Sequence, residues 1–309
     1  MAHDLKERYT RALDSFVAKV TQDKYVLAVV LAGSLYHDVV WEKSDIDLIL
    51  IVEDLKQPEA SFSLVEDGII INAATYDRRR FKRTLDTALR AGFFHSWLAK
   101  TTLLYTRDET IRELYDESMF ELGDHDKSLL LLRHGCFALG NLAKAQKWLR
   151  VKHDVLYSYY WLVKSLDNLA SIEVISQDGI PGREVIQQAL AANAPFFRSL
   201  YVDLAQQPKD AAVMQEALEQ VEAYLTEKTP LLFSLLLDEL AEKGATMGHS
   251  ELRERLSPLL GSGVPIVDAL EWLAEQGVIA KLSTPVELTT KSRAFADEVA
   301  YFYDGGNHR

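Results

Sequence analysis

Two short apolar runs with a charged threshold between them constrain this chain most. Tyr25 to Ala32 is apolar throughout and ends at Gly33-Ser34; a spacer of ten residues follows, and Asp45-Ile46-Asp47 then opens a second run that ends at Val52. Apolar runs of this length, bounded by glycine and polar residues, read as buried strands. Alternate side chains of a strand share a face, so Asp45 and Asp47 project together while Ile46 points into the core. Two carboxylates a strand repeat apart suit a hard cation. Mg²⁺ held by one or two carboxylates plus substrate phosphates is the usual arrangement in phosphoryl transfer. A Gly-Ser turn brings backbone N–H groups and the Ser34 hydroxyl close to a phosphate, because glycine has no Cβ in the way.

An apolar residue, Gly33-Ser34, a spacer and then Ser44-Asp45-Ile46-Asp47-Leu48 resembles the signature of the nucleotidyltransferase superfamily that includes DNA polymerase beta. The resemblance implies an NTP as substrate and Mg²⁺ as cofactor, two ions if the site is active. It implies Asp45 and Asp47 as the catalytic metal ligands, and Gly33, Ser34, His37 and Ser44 on the nucleotide side. His37 falls where the family often has an arginine, so its charge depends on pH. The family's third acidic residue comes from a neighbouring strand. By resemblance that strand is Ile69–Thr75 and the position is Asn72, whose amide oxygen is a poorer Mg²⁺ ligand than a carboxylate. Asp67 and Asp77 bracket the strand and read as a turn residue before Gly68 and a helix N-cap.

Charge narrows the partners. The 309 residues carry a net charge of −12, which argues against an extended nucleic-acid footprint. No apolar run is long enough to span a bilayer, and the first ten residues show no signal-peptide core. The single Cys136 reads as a small core residue. These features lead us to expect a cytoplasmic protein with no membrane association.

The fold class expected is α+β: a small mixed-sheet nucleotidyltransferase domain, then a helical bundle, then a winged-helix-like domain. Residues 1–122 read as helix (4–23), strand, strand, strand (69–74), helix (77–90), strand (102–105) and helix. From 123 to 245 the pattern is helical, with breaks at 179–182, 207–208 and Thr229-Pro230. Residues 246–309 read as two helices, two short strands split by a Thr-Pro turn, and a final helix over 292–303. This part resembles a winged helix, yet its six Lys and Arg face nine Asp and Glu. The expected recognition helix, 265–276, carries Asp268, Glu271 and Glu275 and no base, so packing is expected rather than DNA binding.

A nucleotidyltransferase domain followed by a bundle also resembles the kanamycin nucleotidyltransferase arrangement, in which the bundle holds the acceptor and supplies a carboxylate base. Phe137 to Ala145 has no Asp or Glu for that role; His134 and His153 are the titratable alternatives. A basic cluster, Arg78 to Arg83, is expected on a helix that begins beside the site. Trp148, Tyr157, Tyr159, Tyr160 and Trp161 read as bundle core. Two readings result: transfer of a nucleoside monophosphate from an NTP to an unidentified hydroxyl acceptor, or a degenerate family member that binds a nucleotide or a partner protein. A homodimer sharing its sites would supply the missing carboxylate from a second chain.

Overall fold

A computed structural model of the chain describes residues 2–32, 41–53, 60–90, 101–119, 124–261, 263–289, 291 and 294–305. The chain is α+β and divides into two compact units, Met1–Leu122 and Gly123–Arg309.

The first unit is a five-stranded mixed sheet covered on both faces. Its strands are β1 (Val26–Ala32), β2 (Ile46–Val52), β3 (Ala60–Glu66), β4 (Ile69–Tyr76) and β5 (Thr102–Thr106), in the order β3-β4-β2-β1-β5. Only β2 and β4 run parallel; every other neighbouring pair is antiparallel. Helix α1 (Ala2–Val20) lays Tyr9, Leu13 and Phe16 on Val29, Leu31, Ile46, Leu48 and Ile71. On the opposite face, α2 (Arg78–Arg90) and α3 (Glu109–Met119) bring Phe81, Leu85, Ile111 and Tyr115 onto Val30, Ile49 and Ile51. Apolar cover on both faces is why β1 is unbroken apolar sequence rather than alternating.

Strand β3 is absent from the sequence reading. Its residues alternate serine with apolar side chains at a sheet edge, and Phe62 and Val65 stay exposed, so no buried stripe marks it. Its partner is set by the turn. Asp67 and Gly68 both have positive φ, 50° and 76°, the backbone of a two-residue hairpin whose twist matches the strands. Asp77 caps α2 by accepting from the Arg80 N–H at 2.6 Å. Both aspartates thus hold the turn and cap roles read for them.

In the second unit, α4 (Asp124–Arg150) and α5 (Val155–Ser176) form the longest helix pair. They are followed by α6 (Val185–Ala192), then α7 (Ala194–Phe197), which continues through a π-helical segment, Arg198–Asp203, into Leu204–Gln206. Helices α8 (Ala211–Leu232) and α9 (Ser234–Lys243) complete the run. Pro230 does not break α8 as the sequence suggested. It sits in the last turn, and the helix ends two residues later at Leu232, with Phe233 as its C-cap. A kink at that position displaces only the last residues of the helix.

The chain then forms β6 (Met247–Gly248), α10 (His249–Leu260), α11 (Ile266–Glu275), β7 (Ala280–Glu287) and β8 (Phe295–Phe302), with sheet order β6-β8-β7. Two expectations fail here. Strand β7 runs unbroken through Thr284-Pro285, which an edge strand allows because its outer side needs no donor. The expected final helix is β8. Its apolar positions fit either period, and pairing with β6 and β7 decides between them. The Trp272 indole N–H donates to Thr229 Oγ1 at 3.0 Å and ties α11 to α8.

Among the described residues, no helix is long and apolar enough to cross a membrane. Cys136 is fully buried in α4, and burial pushes its thiol pKa up, as suits a core residue.

Candidate functional site

The site is assembled by register. Ile46 is fully buried against α1, so Asp45 and Asp47 project from the other face at the start of β2. Asp47 lies opposite Asn72 in the parallel β2–β4 ladder, and Asn72 lies opposite Ser63 in the β3–β4 ladder. The Asn72 Nδ2 donates to Asp45 Oδ2 at 2.6 Å and reaches Asp47 Oδ1 at 3.4 Å. The Asn72 Oδ1 accepts from the Ser63 hydroxyl at 3.0 Å. The structure therefore brings Asp45, Asp47 and Asn72 together and adds Ser63, which the sequence reading missed. Its only signal was a serine alternating with apolar residues just ahead of the Asp67-Gly68 turn.

The approach to Asp45 is held from two sides. Ser44 Oγ accepts from the Trp41 N–H at 3.1 Å, and the Ser44 N–H returns a bond to the Trp41 carbonyl at 2.9 Å. The Tyr9 hydroxyl of α1 donates to the Ser44 carbonyl at 2.7 Å. Ser44 thus spends its hydroxyl on the turn that leads into Asp45. Gly33, Ser34 and His37, read as the phosphate-facing turn, lie outside the described residues.

The basic cluster is not beside the carboxylates. Parallel pairing sets Tyr76 opposite Ile51, four residues beyond the Asn72–Asp47 level, and α2 begins after that. Four strand residues span about 13 Å. At that far end Arg78 pairs with Asp108, and Arg80 stacks on Tyr76 with its guanidinium 4.2 Å from the ring centre. The sequence places Arg78 soon after Asn72, but the direction of β4 carries it away.

In the second unit, a group of carboxylates stands on α8, remote in sequence from Phe137 to Ala145. Arg150 of α4 lines a surface cleft with Glu219, Glu222 and Glu227 of α8, and Gln146 donates to Glu222 at 2.8 Å. Glu219 and Glu222, three residues apart, share a face of α8. His134 faces Asn168 at 3.1 Å, and burial pushes its pKa down. His153 sits in the left-handed region of the turn after α4, at φ 53°. The aromatic segment is only partly core. Tyr157 packs on Trp148 with ring centres 4.3 Å apart, yet Tyr157 and Tyr160 remain exposed.

Among the described residues, no group of three or more His, Cys, Asp or Glu side chains could hold a metal ion. The donor set at the strand ends is two carboxylates and an amide. That set suits one Mg²⁺ whose remaining positions are taken by phosphate oxygens and water.

One solved structure, a nucleotidyltransferase-like protein from Exiguobacterium sibiricum 255-15, is similar over 95% of this chain and 98% of its own, with a TM-score of 0.65 and 15% identity. This chain shares that fold. No protein-family model matches the sequence, and no curated protein matches it. At 15% identity the likeness is one of fold alone, so the chemistry rests on the residues themselves.

Proposed function

We propose that this chain binds a nucleoside triphosphate through Mg²⁺ held by Asp45 and Asp47, and transfers the nucleoside monophosphate to a hydroxyl acceptor. The observation that carries this reading is the carboxylate pair flanking buried Ile46, on one sheet face beside Asn72. Like charges placed together repel unless something cationic sits between them, and a sheet has no packing reason to keep two there. Mg²⁺, when bound, would neutralise the phosphates and polarise the phosphorus under attack. Asp45 and Asp47 would hold and orient it. The buried Ile46 and the Tyr9–Ser44 bond would keep both carboxylates in place.

A second reading is a degenerate family member that binds a nucleotide without turnover. It is favoured by one observation: the third acidic position is an asparagine whose N–H already bonds Asp45.

The C-terminal part fits a winged-helix-like unit used for packing. Helices α9 to α11 and the β6-β8-β7 sheet support that reading, as does Glu271. Its carboxylate accepts from the buried Tyr301 hydroxyl at 2.7 Å and from Lys281 at 2.5 Å, rather than facing a nucleic acid.

The test is calorimetric titration of the four NTPs with and without Mg²⁺, on wild type, Asp45→Asn and Asp47→Asn. Metal-dependent binding lost in both variants is expected. Binding that ignores Mg²⁺, or none at all, would overturn the site. Release of pyrophosphate with candidate hydroxyl acceptors separates transfer from binding alone.

A further inference from the structure

Asn72 stands where its side chain reaches both carboxylates. Its N–H lies 2.6 Å from Asp45 and 3.4 Å from Asp47, while its Oδ1 takes the Ser63 hydroxyl at 3.0 Å. A carboxamide presents a donor and an acceptor in nearly the same shape. Turning it over exchanges them without moving the backbone. The partner behind it tolerates either orientation, because a hydroxyl both donates and accepts.

We infer that Asn72 is a reversible stand-in for a cation. With no cation bound, its N–H bridges Asp45 and Asp47. A single divalent cation is taken up with the amide turned over, Oδ1 toward the ion and Nδ2 toward Ser63. The cation-loaded half rests on the nucleotide-site reading above, and the cation-free half on the hydrogen bonds of this structure.

The physical argument is one of charge count. Two carboxylates repel, and an N–H aimed between them offsets part of that repulsion. A third carboxylate at position 72 would add to the repulsion in the empty site and supply the ligand that a second cation needs. An amide does neither. Affinity for hard cations rises with the charge of the ligand set, so this site binds a lone cation weakly. It takes up the ion together with a phosphate-bearing ligand that brings its own charge.

The test uses the full chain with Mn²⁺ as the counted ion, read by the electron paramagnetic resonance of free Mn²⁺, with and without a non-hydrolysable ATP analogue. Wild type is expected to bind one Mn²⁺ per chain with the analogue. Asn72→Asp is expected to bind Mn²⁺ roughly tenfold more tightly without it, on the stronger charge of its ligand set, and to take a second ion with it. A second readout needs no variant at position 72. The side-chain NH₂ resonances of Asn72 in wild type are expected to shift on addition of Mg²⁺ with the analogue, and to stay in place in Asp47→Asn.

Two Mn²⁺ per wild-type chain, or Asn72 resonances that do not move while the analogue binds, would overturn the inference and leave the nucleotide reading standing. Uptake of one Mn²⁺ with moving resonances but no bound analogue would overturn the nucleotide reading and the joint uptake of ion and phosphate, and would leave the turning of Asn72 as the supported part of the inference. If Asn72→Asp fails to fold, the resonance experiment decides alone.

Discussion

The Tyr9 hydroxyl donates a 2.7 Å hydrogen bond to the carbonyl oxygen of Ser44, the residue before Asp45. A helix that covers one sheet face thereby also fixes the threshold of the candidate site. Burial pushes the Tyr9 phenol above its ordinary pKa; Arg8 opposes the shift and Asp45 adds to it. The hydroxyl therefore remains a donor across the neutral range. Tyr9→Phe removes this bond and leaves the ring in place. The expected loss is about 1 kcal/mol of stability, measured by urea denaturation. A weakened Mg²⁺-dependent NTP titration is expected alongside it, because the Ser44 carbonyl is released.

Glu66 makes part of the stability of the first unit depend on pH. Its carboxylate accepts from Lys19 Nζ at 2.6 Å and from the Ser15 hydroxyl at 2.6 Å, which joins the end of β3 to α1. The Lys19 bond, then the Ser15 bond, hold its pKa below the ordinary carboxylate value against the opposing effect of burial. A depressed folded-state pKa gives stability that is fully present above the unfolded value, about 4.3 for glutamate. That contribution is lost as pH falls through the lowered folded value. Denaturation at a series of pH values from neutral downward should show Glu66→Gln less stable than wild type at neutral pH, with a shallower decline in acid. Parallel curves would remove Glu66 from the acid response.

Glu173 is the charged centre of the bundle. It is almost fully buried in α5. It accepts from the Tyr224 hydroxyl of α8 at 2.7 Å and from Gln177 at 2.9 Å, with Lys228 at 3.5 Å. Burial raises its pKa, but the Tyr224 bond and the Lys228 charge outweigh it, and the net shift is downward. Removing one partner of a buried pair leaves the other charge uncompensated, so Glu173→Ala should cost about 3 kcal/mol. Glu173→Gln keeps an acceptor for Tyr224 and should cost less. Thermal melting of the two variants checks the order. Equal losses would show that the charge, rather than the hydrogen bond, carries the effect.

Much of this fold was legible because local signals agreed with tertiary ones. The Tyr25 and Asp45 runs, the α1 periodicity and the long bundle helices stand where apolar spacing put them. Asp67 and Asp77 took their turn and cap roles because those depend on a few neighbouring backbone atoms. The failures share a cause. Residues 292–303 carry a pattern that either a helix or a strand accepts, and only pairing with β7 and β6 chooses. Strand β3 has no buried stripe of its own and is defined by its partner. Pro230 is tolerated because of where the helix happens to end.

The same division holds at the candidate site. The sequence by itself determined that Asp45 and Asp47 share a face and that Ile46 anchors them, since period-two alternation follows from strand geometry alone. It also determined that an asparagine stands where the family resemblance calls for an acid. Only the tertiary structure decided that Asn72 lies level with Asp47, that its N–H points at Asp45, and that Ser63 backs it. It also decided that the arginine cluster belongs to the far end of the sheet. Register and strand direction are set by which strands pair across a sheet, and no local stretch of sequence encodes them.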